Sequence, residues 1–422
     1  MVVSIVVGRE PEDLKKFGEE GCVYIGKHIV GEYDEAHYTN KILMDVLRPH
    51  IVLVLGKRGS GKSYTGGVIA EEIMLLPEHL RKNLSCILID TMGIFWSMKH
   101  ANERDFSLLA RWELKPRGFP VKIFVPAGVA EKYEKSGISF DSTLAIKPSE
   151  LTASDWALSF GFSLQSELGV LLERVIRKLQ KESEEYGIDD IIGEIERDAR
   201  ASEREKFALE NRFIAAKEWG IFSERKGLKI EEILIPGGAS VIDVSLQDWA
   251  VRNLMLSILA RKVYQVRMYA RRKEEIAVIE GEEMERIPMV WFIIDEAHEF
   301  LPNERKTAAS DALLTLVKQG RQPGISLVFI TQRPNKLHED AISQADLIIS
   351  HRLTAKSDVE ALGQIMQTYL LEDIRKTISQ LPKSKGTAIL LDDNSERLYK
   401  IQIRPRLSWH AGGSPLLVKE RI

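Results

Sequence analysis

The chain is poor in the features that would place it in several large classes. It has two cysteines in 422 residues, Cys22 and Cys86, too few for a disulfide framework and suited to a reducing compartment. No apolar run approaches the roughly 20 residues that cross a bilayer as a helix. The opening MVVSIVVGREPEDLKK lacks the basic start and small-residue cleavage site of a secretory leader. A soluble, cytoplasmic protein with no membrane partner is therefore expected. Charge of one sign is not in excess either, since 59 Lys and Arg against 62 Asp and Glu leave a net −3. That excludes a polycation, so any nucleic-acid contact has to be local, such as a pore lining or one helix face. The densest basic stretch, RKVYQVRMYARRK at 261–273, lies in a helical pattern and reads as a solvated helix face. Fixed-period repeats and Pro- or Ser-rich linkers are also missing, so the parts of the chain are expected to pack on one another.

What is present is material for a core. The hydrophobic content is 44%, enough for one large core or two ordinary ones. Apolar runs bounded by turn residues recur: HIVLVLG (50–56), CILID (86–90), VKIFVP (121–126), ASVIDVS (239–245), MVWFIID (289–295), ISLVFITQ (325–332), LIISHRL (347–353), GTAILLDD (386–393) and LYKIQIR (398–404). Many are apolar at successive positions, as in strands covered on both faces, and helical patterns lie between them. An α/β fold with a mostly parallel central sheet follows. From about 149 to 232 the rhythm changes to amphipathic, charged helical pattern such as LGVLLERVIRKLQKESEEYG and EREKFALENRFIAAKEWGIF. This segment reads as a helical bundle inserted into the α/β domain.

The sharpest chemical signal is HIVLVLGKRGSGKSYTGGVIAEEIM. An apolar strand leads into Gly56-Lys57-Arg58-Gly59-Ser60-Gly61-Lys62-Ser63, and Tyr64 opens a helical pattern, the strand–loop–helix order of a G-x-x-x-x-G-K-S phosphate loop. Glycines let backbone amides curl round phosphates, the lysine reaches the terminal phosphates, and the serine hydroxyl ligates Mg²⁺. ATP and Mg²⁺ are the expected cofactors.

Such a loop needs a carboxylate near the metal and a group that orients the attacking water. The tetrapeptide DEAH occurs twice, in GEYDEAHYTN (31–40) and in WFIIDEAHEF (291–300). The second copy follows a buried-type strand, which sets Asp295 at the strand's C-terminal end, where open α/β sheets bind ligands. Asp295 is expected on the metal and Glu296 on the water. For His298, a γ-phosphate contact and a structural role stay open. The first copy follows Gly31-Glu32-Tyr33 with no strand leading into it, so 34–37 reads as a polar loop. DEAH is also the motif-II box of a large helicase group. Here only 124 residues follow His298, too few for a second RecA-like lobe, and no Ser-Ala-Thr motif appears. Instead the strand at 325–331 ends in Gln332, well placed to sense a γ-phosphate. Asp295 lies 233 residues after Lys62, long for a plain RecA core, which the helical insertion explains. No Leu-Ser-Gly-Gly signature of transporter-type ATPases precedes the carboxylates.

GKRGSGKS, CILIDTMGIF, the helical segment ending in KEWGIF, WFIIDEAHEF, KQGRQPGISLVFITQRP and LIISHRL together resemble the HerA/FtsK superfamily, with HerA-like ATPases as its nearest branch, over roughly 47–405. The resemblance implies a RecA-like P-loop NTPase that forms a hexameric ring with ATP sites between subunits and double-stranded DNA in the pore. Lys62 and Ser63 match its Walker A pair, Asp295 and Glu296 its Walker B pair, and Gln332 its sensor. Arg321 matches the arginine that reaches a neighbouring subunit's nucleotide, with Arg48 and Arg352 as weaker candidates for such a role. HerA proteins commonly work with a NurA nuclease. The roughly 46 residues before the core are too few for the β-barrel module that docks partners, which sets a NurA-like nuclease apart from the other implied partners.

The expected organisation is a short N-terminal extension (1–46), a first core segment (47–148), the helical insertion (149–235), a second core segment (236–405) and a C-terminal tail (406–422). The tail RLSWHAGGSPLLVKERI is no strong helix, and either clasps a neighbour or packs loosely. The leading reading is an ATP-driven double-stranded DNA translocase ring used in DNA end processing or repair. Its alternatives are a ring or switch ATPase that remodels protein partners without moving DNA, and a transfer ATPase of the VirB4 and TraG kind.

Overall fold

The computed structural model describes residues 4–31, 36–224, 227–284, 286–353 and 384–413, with 360, 362, 377, 381 and 382. Strand β1 (Ile5–Val7), helix α1 (Pro11–Phe17), β2 (Cys22–Val30) and β3 (His37–Asp45) precede β4 (Ile51–Leu55), the strand that feeds the glycine-rich loop. Helix α2 (Lys62–Leu75), β5 (Leu84–Asp90), β6 (Lys122–Pro126) and β7 (Ser142–Leu144) follow. Four helices come next: α3 (Ala153–Phe160), α4 (Glu167–Glu182), α5 (Ile188–Arg197) and α6 (Glu203–Lys217). The chain then runs through β8 (Ala239–Asp243), the long α7 (Trp249–Glu280), β9 (Met289–Ile294), α8 (Ser310–Gln319), β10 (Ile325–Thr331), β11 (Leu347–His351), β12 (Thr387–Asp392) and β13 (Arg397–Ile403).

These strands join one sheet in the order β1-β3-β2-β13-β12-β11-β4-β10-β9-β5-β8-β6-β7. From β11 to β7 every neighbour is parallel, whereas β12, β13, β2 and β3 join by antiparallel pairing. The α/β class and the mostly parallel sheet agree with the sequence reading. Strands β4, β5, β9 and β10 are buried nearly throughout, because both faces are covered: Leu53, Ile87 and Phe292 face one apolar cluster, Val54, Leu88 and Trp291 the other.

The helices α3 to α6 pack on the first of those faces. Trp156 is fully buried, with its ring 4.8 Å from Phe213, 5.2 Å from Phe222 and 5.5 Å from Phe160. Local sequence starts two of these helices. The Thr152 hydroxyl accepts the Asp155 amide and the Ser202 hydroxyl the Glu205 amide, each in a reciprocal capping box.

Three expectations need correction. A nine-residue strand, β2, does lead into the first DEAH, and His37 opens the next strand; residues 34 and 35 lie outside the described residues. Its sequence CVYIGKHIV interrupts the apolar pattern with glycine and lysine, as suits a strand outside the doubly covered core. The basic stretch on α7 is a solvated face only toward its end, where Arg272 and Lys273 are exposed. Arg267 is buried and donates to the carbonyl of Pro323, Arg261 to Asp155, and Lys262 to Glu150. Finally, residues 406–408, the start of the tail, are buried on α2: the Leu407 and Ser408 amides donate to Glu71. The segment packs tightly on its own chain, and residues from 414 onward lie outside the described residues.

Candidate active site

Because the central strands are parallel, their C-terminal ends share one edge, and the polar side chains collect there. Strand β4 delivers the glycine-rich loop. Gly56, Gly59 and Gly61 all have positive φ, at 152°, 75° and 110°. A Cβ on Gly56 would come within 2.5 Å of Ser60 Oγ and 2.7 Å of His351 Cβ, so only glycine fits that turn. Lys57 and Arg58 are exposed on the loop. The Lys57 carbonyl accepts Lys62 Nζ at 3.1 Å, which bends the lysine back over the loop. Burial lowers the pKa of Lys62, against the nearby charges of Glu296 and Asp295. Ser60 Oγ is buried without a hydrogen-bond partner among the described residues.

The sequence-distant carboxylates meet this loop. Ser63 Oγ donates to Asp295 Oδ2 at 3.0 Å across 232 positions. Asp295 is fully buried at the end of β9, and burial raises its pKa in spite of the Ser63 bond. Next to it, Glu296 sits in the left-handed region at φ 49°, a strained backbone for a non-glycine residue, of the kind that clusters at functional sites. Burial first, then the charge of Asp295, pushes its carboxyl up to about 7. Gln332 Nε2 donates to Glu296 Oε1 at 3.2 Å, while Glu296 Oε2 is buried with no hydrogen bond among the described residues. His298 Nδ1 lies 2.9 Å from Thr331 Oγ1 and 3.5 Å from that free Glu296 oxygen. Burial, helped by the charges of Arg333 and Lys62, lowers its pKa to about 4, so it is neutral.

Tyr64 turns away from the loop. Its hydroxyl accepts the Arg406 amide at 2.5 Å, and its ring meets His410 edge-on at 5.1 Å. Two further residues at this edge carry no spacing signal in the sequence. Thr65 Oγ1 donates to the Gly61 carbonyl at 3.0 Å and lies 2.8 Å from His351 Nε2. Fully buried His351, whose pKa burial lowers to about 4, thus props the loop from beneath. Its only sequence signal is a polar residue ending the run LIISHRL.

The arginines divide between edges. Arg352 is exposed beside the loop, and its carbonyl accepts the Lys57 amide. Arg321 and Arg48 precede β10 and β4, at the opposite edge. The seven residues of β10 span roughly 20 Å, so Arg321 does not reach this chain's own loop. It is 72% exposed and lies 3.5 Å from Asp346; Arg48 is 62% exposed and paired with Asp13.

A glycine loop with a lysine, a serine hydroxyl touching a buried carboxylate, and a second carboxylate with a free oxygen together form a donor set that fits a magnesium–nucleoside triphosphate. Among the described residues no helix is long and apolar enough to cross a membrane.

Comparison with known proteins agrees with this geometry. Residues 23–263 match the family model described as "Helicase HerA, central domain". The chain is 23% identical over 412 residues to the DNA double-strand break repair helicase HerA of Sulfurisphaera tokodaii, covering 97% of this chain and 74% of that protein. It is 27% identical over 152 residues to a probable helicase of Methanocaldococcus jannaschii, covering 36% of this chain but only 28% of that protein. In fold it is similar to VirB4 of Thermoanaerobacter pseudethanolicus, with a TM-score of 0.57 at 11% identity over 90% of this chain and 96% of that one. The chain belongs to the HerA central-domain family of P-loop ATPases.

Proposed function

We propose that this ATPase is one subunit of a ring, of hexameric type, that moves double-stranded DNA, and that it serves DNA end processing. The observation that carries the reading is the division between the two sheet edges. Loop, carboxylates and Gln332 gather at one edge, while Arg321 stands exposed at the other. That division supports a site that draws its arginine from a neighbouring copy, an arrangement that would tie hydrolysis to motion between subunits. The similarity to the double-strand break repair helicase of Sulfurisphaera tokodaii supports the DNA setting.

In this mechanism the amides of 56–63 wrap the phosphates and Lys62 contacts the terminal ones. Ser63 and Asp295 would hold Mg²⁺, which would supply charge neutralisation to the phosphates. The free oxygen of Glu296 takes a proton from the attacking water. Gln332, already bonded to the other oxygen of Glu296, fixes that carboxylate and senses the γ-phosphate. Arg321 of the adjacent subunit stabilises charge on the transferring group.

The test is ATP turnover with and without duplex DNA across a salt series. Turnover that rises with DNA, with DNA affinity falling steeply as salt increases, is the expected result, because phosphate contacts release counterions. Turnover indifferent to DNA but dependent on a protein partner would instead favour remodelling of a protein assembly.

A further inference from the structure

At the edge of the sheet opposite the glycine-rich loop, five side chains alternate in charge from the interior to the surface. Arg9 Nε donates to Asp45 Oδ1 at 2.8 Å. Asp45 Oδ2 lies 3.1 Å from His50 Nε2, and His50 Nδ1 lies 2.7 Å from Asp346 Oδ2. That same Asp346 oxygen is 3.5 Å from Arg321 Nη2, while the other oxygen accepts the Ile51 amide at 2.9 Å. The side chains of Arg9, Asp45, His50 and Asp346 are all buried, whereas that of Arg321 is mostly exposed.

Both ring nitrogens of His50 face carboxylate oxygens. A neutral imidazole has one N–H and would leave a lone pair against one of them, so the ring carries both protons. The four buried groups then sum to zero charge. An Asp346 compensated from inside holds Arg321 by one long contact through one terminal nitrogen, leaving the rest of the guanidinium turned outward. An uncompensated carboxylate would draw the guanidinium down onto its own surface, and no carboxylate would release it to many rotamers. The backbone of the same turn is also secured: Arg267 Nε donates to the Pro323 carbonyl at 2.8 Å, and the Ile325 amide to the Gly320 carbonyl at 2.8 Å.

We propose that Asp346, held by His50, is the positioning residue that presents Arg321 to the neighbouring subunit's nucleotide. The inference rests on the reading of Arg321 as acting in trans. Through Asp45 and Arg9 it also makes the N-terminal segment a support for that arginine.

The test compares Asp346→Asn, Arg321→Ala and the double variant in steady-state ATP hydrolysis. Asp346→Asn is expected to lower kcat about two- to fivefold, the worth of a largely exposed ion pair, with KM for ATP changed less than twofold. The double variant is expected to be no slower than Arg321→Ala alone. Mixing Asp346→Asn with Lys62→Ala subunits is expected to restore turnover per intact site, because those sites then receive an arginine that is correctly held. His50→Gln, which keeps a donor but not the charge, is expected to follow the same pattern and covers the case in which Asp346→Asn does not fold. Wild-type turnover in Arg321→Ala would overturn the trans reading itself. An impaired Arg321→Ala beside wild-type turnover in Asp346→Asn or His50→Gln, or losses that add in the double variant, would overturn this inference alone.

Discussion

Replacing Glu71 by glutamine should loosen the chain far more than its modest change in shape suggests. Glu71 lies in the middle of α2, fully buried, and its two oxygens receive five donors from one short strap: Arg404 Nη1 at 2.9 Å, Arg406 Nε at 3.1 Å, the Leu407 and Ser408 amides at 3.0 Å each, and Ser408 Oγ at 2.6 Å. Burial alone would raise its pKa, but the two guanidinium groups outweigh burial and hold it below the usual carboxylate range. Glutamine removes the charge and turns one acceptor into a donor facing donors. Arg404 retains Glu72 at 2.7 Å, whereas Arg406, also fully buried, keeps no carboxylate among the described residues, only the uncharged Ser408 and His410 and the face of the Tyr64 ring. Removing one partner of a buried pair costs about 3–5 kcal/mol. With Arg404 still compensated, about 3 kcal/mol is the figure for Glu71→Gln. The assay is urea unfolding followed by fluorescence and circular dichroism, with limited proteolysis of 404–413 alongside. ATP affinity should weaken as well, because the same strap donates the Arg406 amide to Tyr64, next to Ser63. A loss of less than about 1 kcal/mol with an unchanged proteolysis pattern would refute the docking of the strap on α2.

Glu296→Gln should retain ATP binding and lose turnover by about 10²–10⁴-fold, the usual worth of a positioned general base; turnover that survives would exclude Glu296 as the group that polarises the water. Stability should also depend on pH through His50. Burial opposes its charge, but the hydrogen bonds it donates to Asp346 and Asp45, together with their charges, prevail and raise its pKa from 6.5 to about 9. The folded state therefore binds this proton more tightly. The stabilisation is complete below about pH 6.5 and declines by about 3 kcal/mol as pH rises to 9. His50→Gln should flatten that decline, and an equal slope in both proteins would assign it to other groups.

The parts of this molecule legible in the sequence are those whose physics is local or repeated. Strands β4, β5, β9 and β10 could be read because both their faces are covered, which makes them apolar at every position. Strands β2 and β3, outside that doubly covered core, could not. The glycine-rich loop is legible because phosphate binding dictates its spacing. Asp295 is legible across 232 positions because a parallel sheet brings every strand's C-terminal end to the same edge. Glu71, His351 and Asp346 had no comparable signal, since their partners Ser408, Thr65 and His50 stand 337, 286 and 296 positions away at no fixed spacing. The first part of the basic run on α7, Arg261 and Lys262, was misread for the same reason, its carboxylate partners Asp155 and Glu150 lying more than a hundred positions upstream. The parallel order that made Asp295 legible also constrains Arg321. A residue that precedes β10 must sit at the edge that Gln332, at the other end of the same strand, does not occupy. No side-chain rotation spans a seven-residue strand, so an isolated subunit cannot bring Arg321 to its own phosphates. Full turnover by a monomer would therefore contradict the assignment of Arg321, whatever the mutants show.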